Sequence, residues 1–179
     1  MLERLRQLLP PPANPVEPGR PDGWAKVEAA LGTGLPGDFK GFTELYGSGT
    51  VDDFLYLFNP FAPGPDGNLV VEKDRVLAAY RQTRARFPDR LPWPPFPEPG
   101  GVLPLGRTDN GDELYWVTDG DPDRWSVALV EARVALQELH PMSVTGLLAA
   151  LAANQLTSRV LPEDLLRRPS HQLTPFPDP

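Results

Sequence analysis

Proline decides where this chain can be regular. Of its 24 prolines, 17 crowd into three stretches, Pro10 to Pro21, Pro88 to Pro99 and Pro162 to Pro179. A locked φ and a missing N–H keep such stretches out of helix interiors and central strands. Regular structure is therefore confined between them, and 179 residues suit one domain with appendages. The expected division is a Pro-rich N-terminal segment with a short helix over 1–21, a folded domain over 22–155, and a Pro-rich tail over 156–179.

Inside the domain the hydrophobic period changes along the chain. Trp24, Val27, Glu28 and Leu31 recur at helical spacing until Gly32 stops them. Pro36 is placed as the first residue of a second helix, with Phe39, Phe42, Thr43 and Tyr46 on its apolar face. Gly47 then serves as a left-handed cap, and Gly49 lets the chain reverse. Phe54 to Phe58 reads as a buried strand. Leu69 to Phe87 reads as a third helix, acidic at its start and carrying Arg81, Arg84 and Arg86 near its end, as the helix dipole favours.

After the second Pro-rich stretch a strand opens at Val102, and a partner runs from Glu113 to Thr118. Asn110-Gly111 between them is a strong hairpin signal, expected as a type I′ turn with both residues at positive φ. Strands over Trp125–Val130 and Val134–Leu139 extend the meander, and Ser143 caps a last helix over Val144–Ala153. The expected architecture is α+β: a mostly antiparallel sheet of about 4–6 strands packed by N-terminal, middle and C-terminal helices.

Residues suited to catalysis are sparse. There are no cysteines and only two histidines, His140 and His171, neither in a nucleophile–base motif. Ser48, in Tyr46-Gly-Ser-Gly-Thr50, lacks the G-x-S-x-G spacing and follows a helix instead of a strand, so it reads as part of a helix terminus. The same glycines close a helix, which is the wrong polarity for cradling phosphate. Asp109-Asn110-Gly111-Asp112-Glu113 offers oxygen ligands without the twelve-residue calcium loop, and Asp119, Asp121 and Asp123 flank Pro122 in a turn. The Trp93 and Phe96 of the second Pro-rich stretch are expected to pack back on the domain. No cofactor, no metal and no enzymatic activity are expected.

Net charge is −7, which disfavours phosphate backbones and favours encounter with basic partners. No apolar run approaches the roughly 18 residues of a membrane helix. Met1 to Leu9 is too short and charged for a signal peptide, so a cytoplasmic location is expected.

Two ordered segments carry a resemblance. Trp24, Glu28, Leu31, Gly32, Leu35, Pro36, Asp38, Phe39, Lys40, Phe42, Tyr46, Gly47, Ser48 and Gly49 form the first. The second runs from Leu103-Pro-Leu-Gly106 through Asn110-Gly111 to Leu114-Tyr-Trp116, with Trp125 beyond. Together they resemble the SUKH superfamily of Smi/Knr-type proteins. The likeness implies a single α+β domain used for protein binding, with no catalytic residues to carry over. Bacterial members of that group look like immunity proteins that neutralise toxins, many of them nucleases, and this chain is similar to the bacterial form.

The expected function is accordingly a non-catalytic binding module that occludes a basic toxin domain through an acidic, aromatic-bearing surface. Asp52, Asp53, Asp109, Asp112, Glu113 and Tyr115 are placed on that surface. Trp116 and Trp125 join Tyr115 as candidate exposed aromatics, although strand alternation sends Tyr115 and Trp116 to opposite faces, one core and one outward. Two alternatives stay open: a scaffold or regulatory protein with no toxin partner, and a small hydrolase with two acids converging in a deep pocket. Oligomeric state is left open.

Overall fold

The apolar runs of residues 24–46 become two helices, and side chains from elsewhere in the chain fix where each begins. The structure, a computed structural model, describes residues 1–133 and 136–166, and the backbone of 173–175. Among these residues the helices are α1 (Leu2–Leu8), α2 (Trp24–Leu31), α3 (Gly37–Tyr46), α4 (Leu69–Arg86) and α5 (Val144–Ala152). The strands are β1 (Gly49–Val51), β2 (Leu55–Leu57), β3 (Gly101–Thr108), β4 (Glu113–Thr118), β5 (Ser126–Val130) and β6 (Gln137–His140). They lie antiparallel in the order β6-β5-β4-β3-β2-β1, and a short segment, β7 (Leu173–Pro175), extends the β1 edge. The fold is an α+β single domain.

The first motif is largely structural wiring. Gly32 ends α2 in the left-handed conformation, φ 77°. Pro36 does not open α3 but precedes it as the capping residue, φ −56° and ψ 134°. Its fixed φ suits that extended position as well as the first helical one. The Gly37 N–H donates to Asp123 Oδ1 at 2.6 Å, and Asp38 Oδ2 in turn accepts from the Thr145 N–H at the start of α5. Each carboxylate satisfies an orphan helix donor from a distant part of the chain. Glu28 accepts from the Leu35 N–H at 2.9 Å and pairs with Lys40, tying α2 to α3. Partial burial opposes ionisation of Glu28, but those two partners outweigh it and lower its pKa.

Gly47 departs from the expected left-handed cap. Its φ of 66° and ψ of −148° lie in a region open essentially to glycine alone. A Cβ there would sit 2.0 Å from the Val16 carbonyl oxygen, because the Ser48 N–H donates to that oxygen at 2.7 Å. The N-terminal segment is thus bound into the domain. Leu5 and Leu9 are fully buried in the same core, and Tyr46 Oη donates to the Leu9 carbonyl at 2.6 Å. Val160, Leu161, Leu165 and Leu166 enter that core from the other end of the chain.

The two hairpins exchange the turn types expected of them. Between β3 and β4, Gly111 has φ 86° while Asn110 stays at negative φ. The Gly111 N–H donates to Thr108 O and the Thr108 N–H to Asp112 O, so this is an ordinary turn followed by a left-handed glycine bulge. The turn with two left-handed central residues joins β1 and β2 instead. It is made by Asp52 and Asp53, φ 54° and 55°, and closed by the Phe54 N–H on Val51 O. β1 itself had no sequence signal beyond Gly49 as a reversal. Of the strand expected over Val134–Leu139, Val134 and Ala135 lie outside the described residues, Leu136 precedes the strand, and β6 holds Gln137 to Leu139 and adds His140.

Tyr115 and Trp116 do lie on opposite faces of β4, but both are buried, at 3% and 1% exposure. Trp116 meets Phe39 of α3 edge-on at 4.9 Å and Trp125 at 6.3 Å. Tyr115 meets Tyr80 of α4 at 5.4 Å. The expected outward aromatic is absent because α4 covers the second face. Trp125 is buried as well. No helix among the described residues is long and apolar enough to cross a membrane.

Candidate functional site

Register places a polar row across the sheet on the face covered by α4. Thr50 pairs with Tyr56, Tyr56 with Arg107, Arg107 with Glu113, and Glu113 with Val130. Paired residues share a face, so these side chains stand side by side, and α4 crosses the row at Arg107 of β3. The helix adds Glu72 and Arg75. Glu72, 1% exposed, takes Arg75 in a two-pronged contact on Oε2. Its Oε1 accepts from the Gly67 N–H at 3.2 Å and faces Arg107 at 3.7 Å.

One end of the row is acidic and exposed. Asp53 Oδ1 accepts from Thr50 Oγ1 at 3.2 Å, and Asp52 Oδ2 from the Leu166 N–H at 2.6 Å. The Asp109 N–H donates to Phe54 O at 2.9 Å, and Tyr56 Oη donates to Asp109 Oδ1 at 3.2 Å. The two hairpin tips are thereby locked together, and Asp52, Asp53 and Asp109 share one corner. Asp164 joins Asp52 and Asp53 at the rim of a cleft of about 220 Å³ lined also by Phe54 and Pro162. Tyr56 has its pKa raised, first by burial and then by Asp109 and Asp53.

The other three expected surface residues are not on it. Asp112 is 3% exposed: Oδ2 accepts from Thr108 Oγ1 at 2.7 Å and Oδ1 from the Ala132 N–H at 3.1 Å. It fastens the hairpin to the loop after β5. Tyr115 is under α4, as described, and burial drives its pKa well up. Glu113 points inward, and its Oε2 is buried with no hydrogen-bond partner among the described residues. For Glu113 and Tyr115 the cause is the helical cover, which turns strand residues into interior ones, whereas Asp112 is buried by its own hairpin and the loop after β5.

Glu113 is the most perturbed carboxyl of the row. Burial pushes its pKa to about 7, Arg107 and Arg75 pull it back, and Glu72 and Asp112 push it further up. Unfolded, the same carboxyl titrates near 4.5. The folded chain therefore holds more protons between pH 4.5 and 7, and stability falls as pH rises through that window. The span corresponds to a loss of about 3 kcal/mol by pH 8. Glu113→Gln, neutral throughout, is expected to remove that fall. Urea unfolding should show the variant more stable than the parent by about 2–3 kcal/mol at pH 8 and equal at pH 4.5. Parallel pH profiles would contradict the assignment.

Ser48 is a structural hub. Buried, it donates to Glu17 Oε2 at 2.6 Å and accepts from Asn59 Nδ2 at 2.8 Å. His140 is buried beside Glu138, at 3.3 Å. Among the described residues no group of three or more His, Cys, Asp or Glu side chains is arranged to hold a metal ion. Sequence reasoning missed Glu72, Arg75, Arg107 and Tyr56. A signal for Glu72 was present: Leu69, Glu72, Val76 and Tyr80 form one buried helical stripe with a carboxylate in a core position. Comparison with family models, curated proteins and solved structures finds no match.

Proposed function

We propose that this chain is a protein-binding module of the immunity type, which engages a basic partner, a toxin domain by this reading, through the acidic corner at the two hairpin tips. One observation carries the proposal: the adjacent Asp52 and Asp53 and the distant Asp109 are held on one corner by bonds between the hairpins. Two adjacent aspartates in left-handed backbone cost energy that a Gly or Asn there would lower, which marks the turn as kept for its side chains. Net charge of −7 adds long-range attraction for a cationic partner. The ordered SUKH-like motifs support the same reading, and most of them serve the scaffold beneath the corner.

The test combines capture with neutralisation of the corner. The full chain is used as bait in lysate of its own species, and the partner's association is then measured against Asp53→Asn/Asp109→Lys. Asn keeps the left-handed turn tolerable, and although Asp109→Lys removes the Tyr56 bond, the main-chain bond from the Asp109 N–H to Phe54 O still ties the two tips. Association about tenfold slower, with a weaker salt dependence, is the expected result. An association rate untouched by the double substitution overturns the surface.

A further inference from the structure

Residues 75–88 carry Arg75, Arg81, Arg84 and Arg86 and no acid, in a chain of net charge −7. Arg75 is paired with Glu72, and Arg86 meets the negative end of the α4 dipole in the last turn. Arg81 and Arg84, one turn apart, are tied to main chain instead. Arg81 donates from Nη2 to the Phe96 carbonyl at 2.9 Å, and Arg84 from Nε to the Leu91 carbonyl at 3.1 Å. Neither makes an ion pair among the described residues. A guanidinium held by a carbonyl keeps its full charge and its remaining donors, so Arg84 has both Nη groups free. Its side chain is also ordered before any ligand arrives, which removes an entropy cost of up to about 2 kcal/mol.

The two arginines border a trough between α4 and the Pro-rich loop. One hollow, about 410 Å³, lies among Arg81, Arg84, Ala85, Pro88, Pro95 and Glu98. At Arg81 it meets a second, about 390 Å³, whose apolar walls are Leu31, Leu77, Phe96 and Pro97. A charged fork and an apolar recess therefore adjoin. We infer that this trough binds an extended acidic segment of a protein partner, one Asp or Glu carboxylate on the Arg81–Arg84 fork and a neighbouring apolar side chain in the recess. The site shares no residue with the acidic corner and does not depend on it.

The charges around the trough select the ligand. Glu98 is the one acid on the wall of the first hollow, and Lys73 and Asp74 at the second answer each other at 3.2 Å. Beyond the helix end, Asp89 stands against Arg90. Two guanidinium groups against Glu98 leave one positive charge in surplus, which a single carboxylate matches. A phosphate dianion or a nucleic-acid strand brings more negative charge than that surplus neutralises, and the net charge of the chain opposes both. The free Nη pair of Arg84 is also a planar, two-pronged face of the shape a carboxylate accepts. Arg81 and Arg84 repel each other across one helical turn, and an anion between them relieves that repulsion.

The experiment is an amide and arginine side-chain NMR titration of the full chain with N-acetyl-Leu-Glu-Leu-amide. Leucine on both sides serves either direction of the bound segment, and the glutamine and phosphoserine counterparts are comparison probes. The expected result is saturable shifts at Gly32, Leu77, Arg81, Arg84 and Phe96, with the glutamate probe bound about fivefold tighter than the glutamine one at low salt. Arg84→Gln should erase that preference. Arg86→Gln removes the same charge from the same helix outside the trough and should keep affinity within about twofold. Glu98→Gln touches neither arginine and should tighten the glutamate probe about threefold, which keeps the test decisive if Arg84→Gln disturbs the loop. Equal affinity for glutamate and glutamine, a preference for phosphoserine, no saturation by about 20 mM, or equal losses for Arg84→Gln and Arg86→Gln overturns the inference. Concentration-dependent shifts at the trough without peptide would seat a second copy of the chain there and overturn it as well.

Discussion

Trp116→Ala is expected to cost about 4 kcal/mol of folding stability, the largest single loss for a side chain in this fold. Trp116 is 1% exposed and sits where α3, β4 and the turn before β5 converge. Removing the indole strips Phe39 of its edge contact at 4.9 Å and Trp125 of its tilted one at 6.3 Å. Neither neighbour is on a mobile loop that can collapse into the gap, so both the transfer and cavity terms are felt in full. For a domain of this length a thermal midpoint lower by about 8–16 °C corresponds to that loss. Trp116→Phe separates packing from polarity. The indole Nε1 is buried with no partner among the described residues, so losing it removes an unmet bond. Phe should retain most of the contact and cost under about 2 kcal/mol. A loss below about 1 kcal/mol for Ala would mean that α3 does not pack on the sheet as described.

Glu72→Ala is the second, at about 3 kcal/mol. The carboxylate is buried and takes two arginines and the Gly67 N–H. Deleting it leaves that N–H without its acceptor and the half-buried Arg107 guanidinium without its ion-pair partner. Arg75 can hydrate, being 61% exposed in its side chain, which keeps the cost at the lower end for a broken buried pair. Glu72→Gln keeps the shape and the Gly67 bond and should lose about half as much. A second readout follows from the row. Glu72 raises the pKa of Glu113 and Arg107 lowers it, so removing Glu72 should bring the Glu113 titration down from about 7. Carbon-detected NMR on the Glu113 carboxyl measures that directly. An unmoved titration would mean that the row is not electrically continuous.

The readable parts of the sequence were those whose cause is local. Gly32, Ser143 and the helical spacing of Trp24, Val27 and Leu31 announce their elements because capping and period act within a few residues. Asp38 and Asp123 show the limit: each looks like a turn or first-turn acid, yet each satisfies a helix end far away in sequence. Turn type was also beyond reach. Asn110-Gly111 carries the usual signal for two left-handed residues, but the glycine alone takes that conformation, while Asp52-Asp53 adopts it under constraint from both strands.

The candidate site divided in the same way. Asp53 and Asp109 were legible as exposed because turns face water, and Asp52 beside them is partly so. Glu113 and Tyr115 were not, since their burial depends on where α4 lies, and nothing in β4 itself records that; Asp112 was not, since the loop after β5 that covers it is distant in sequence. The stripe of Leu69, Glu72, Val76 and Tyr80 does record it, on another element. Reading one element's polar residue against another's apolar stripe requires the topology first.

Amide hydrogen exchange on the chain bound to its captured partner tests the central proposal most directly. Slowed exchange at residues 50–56 and 107–111, with the α2 and α5 surfaces unchanged, is the predicted footprint. Protection confined to α2, α3 or α5, with both hairpin tips exchanging as in the free chain, would contradict it.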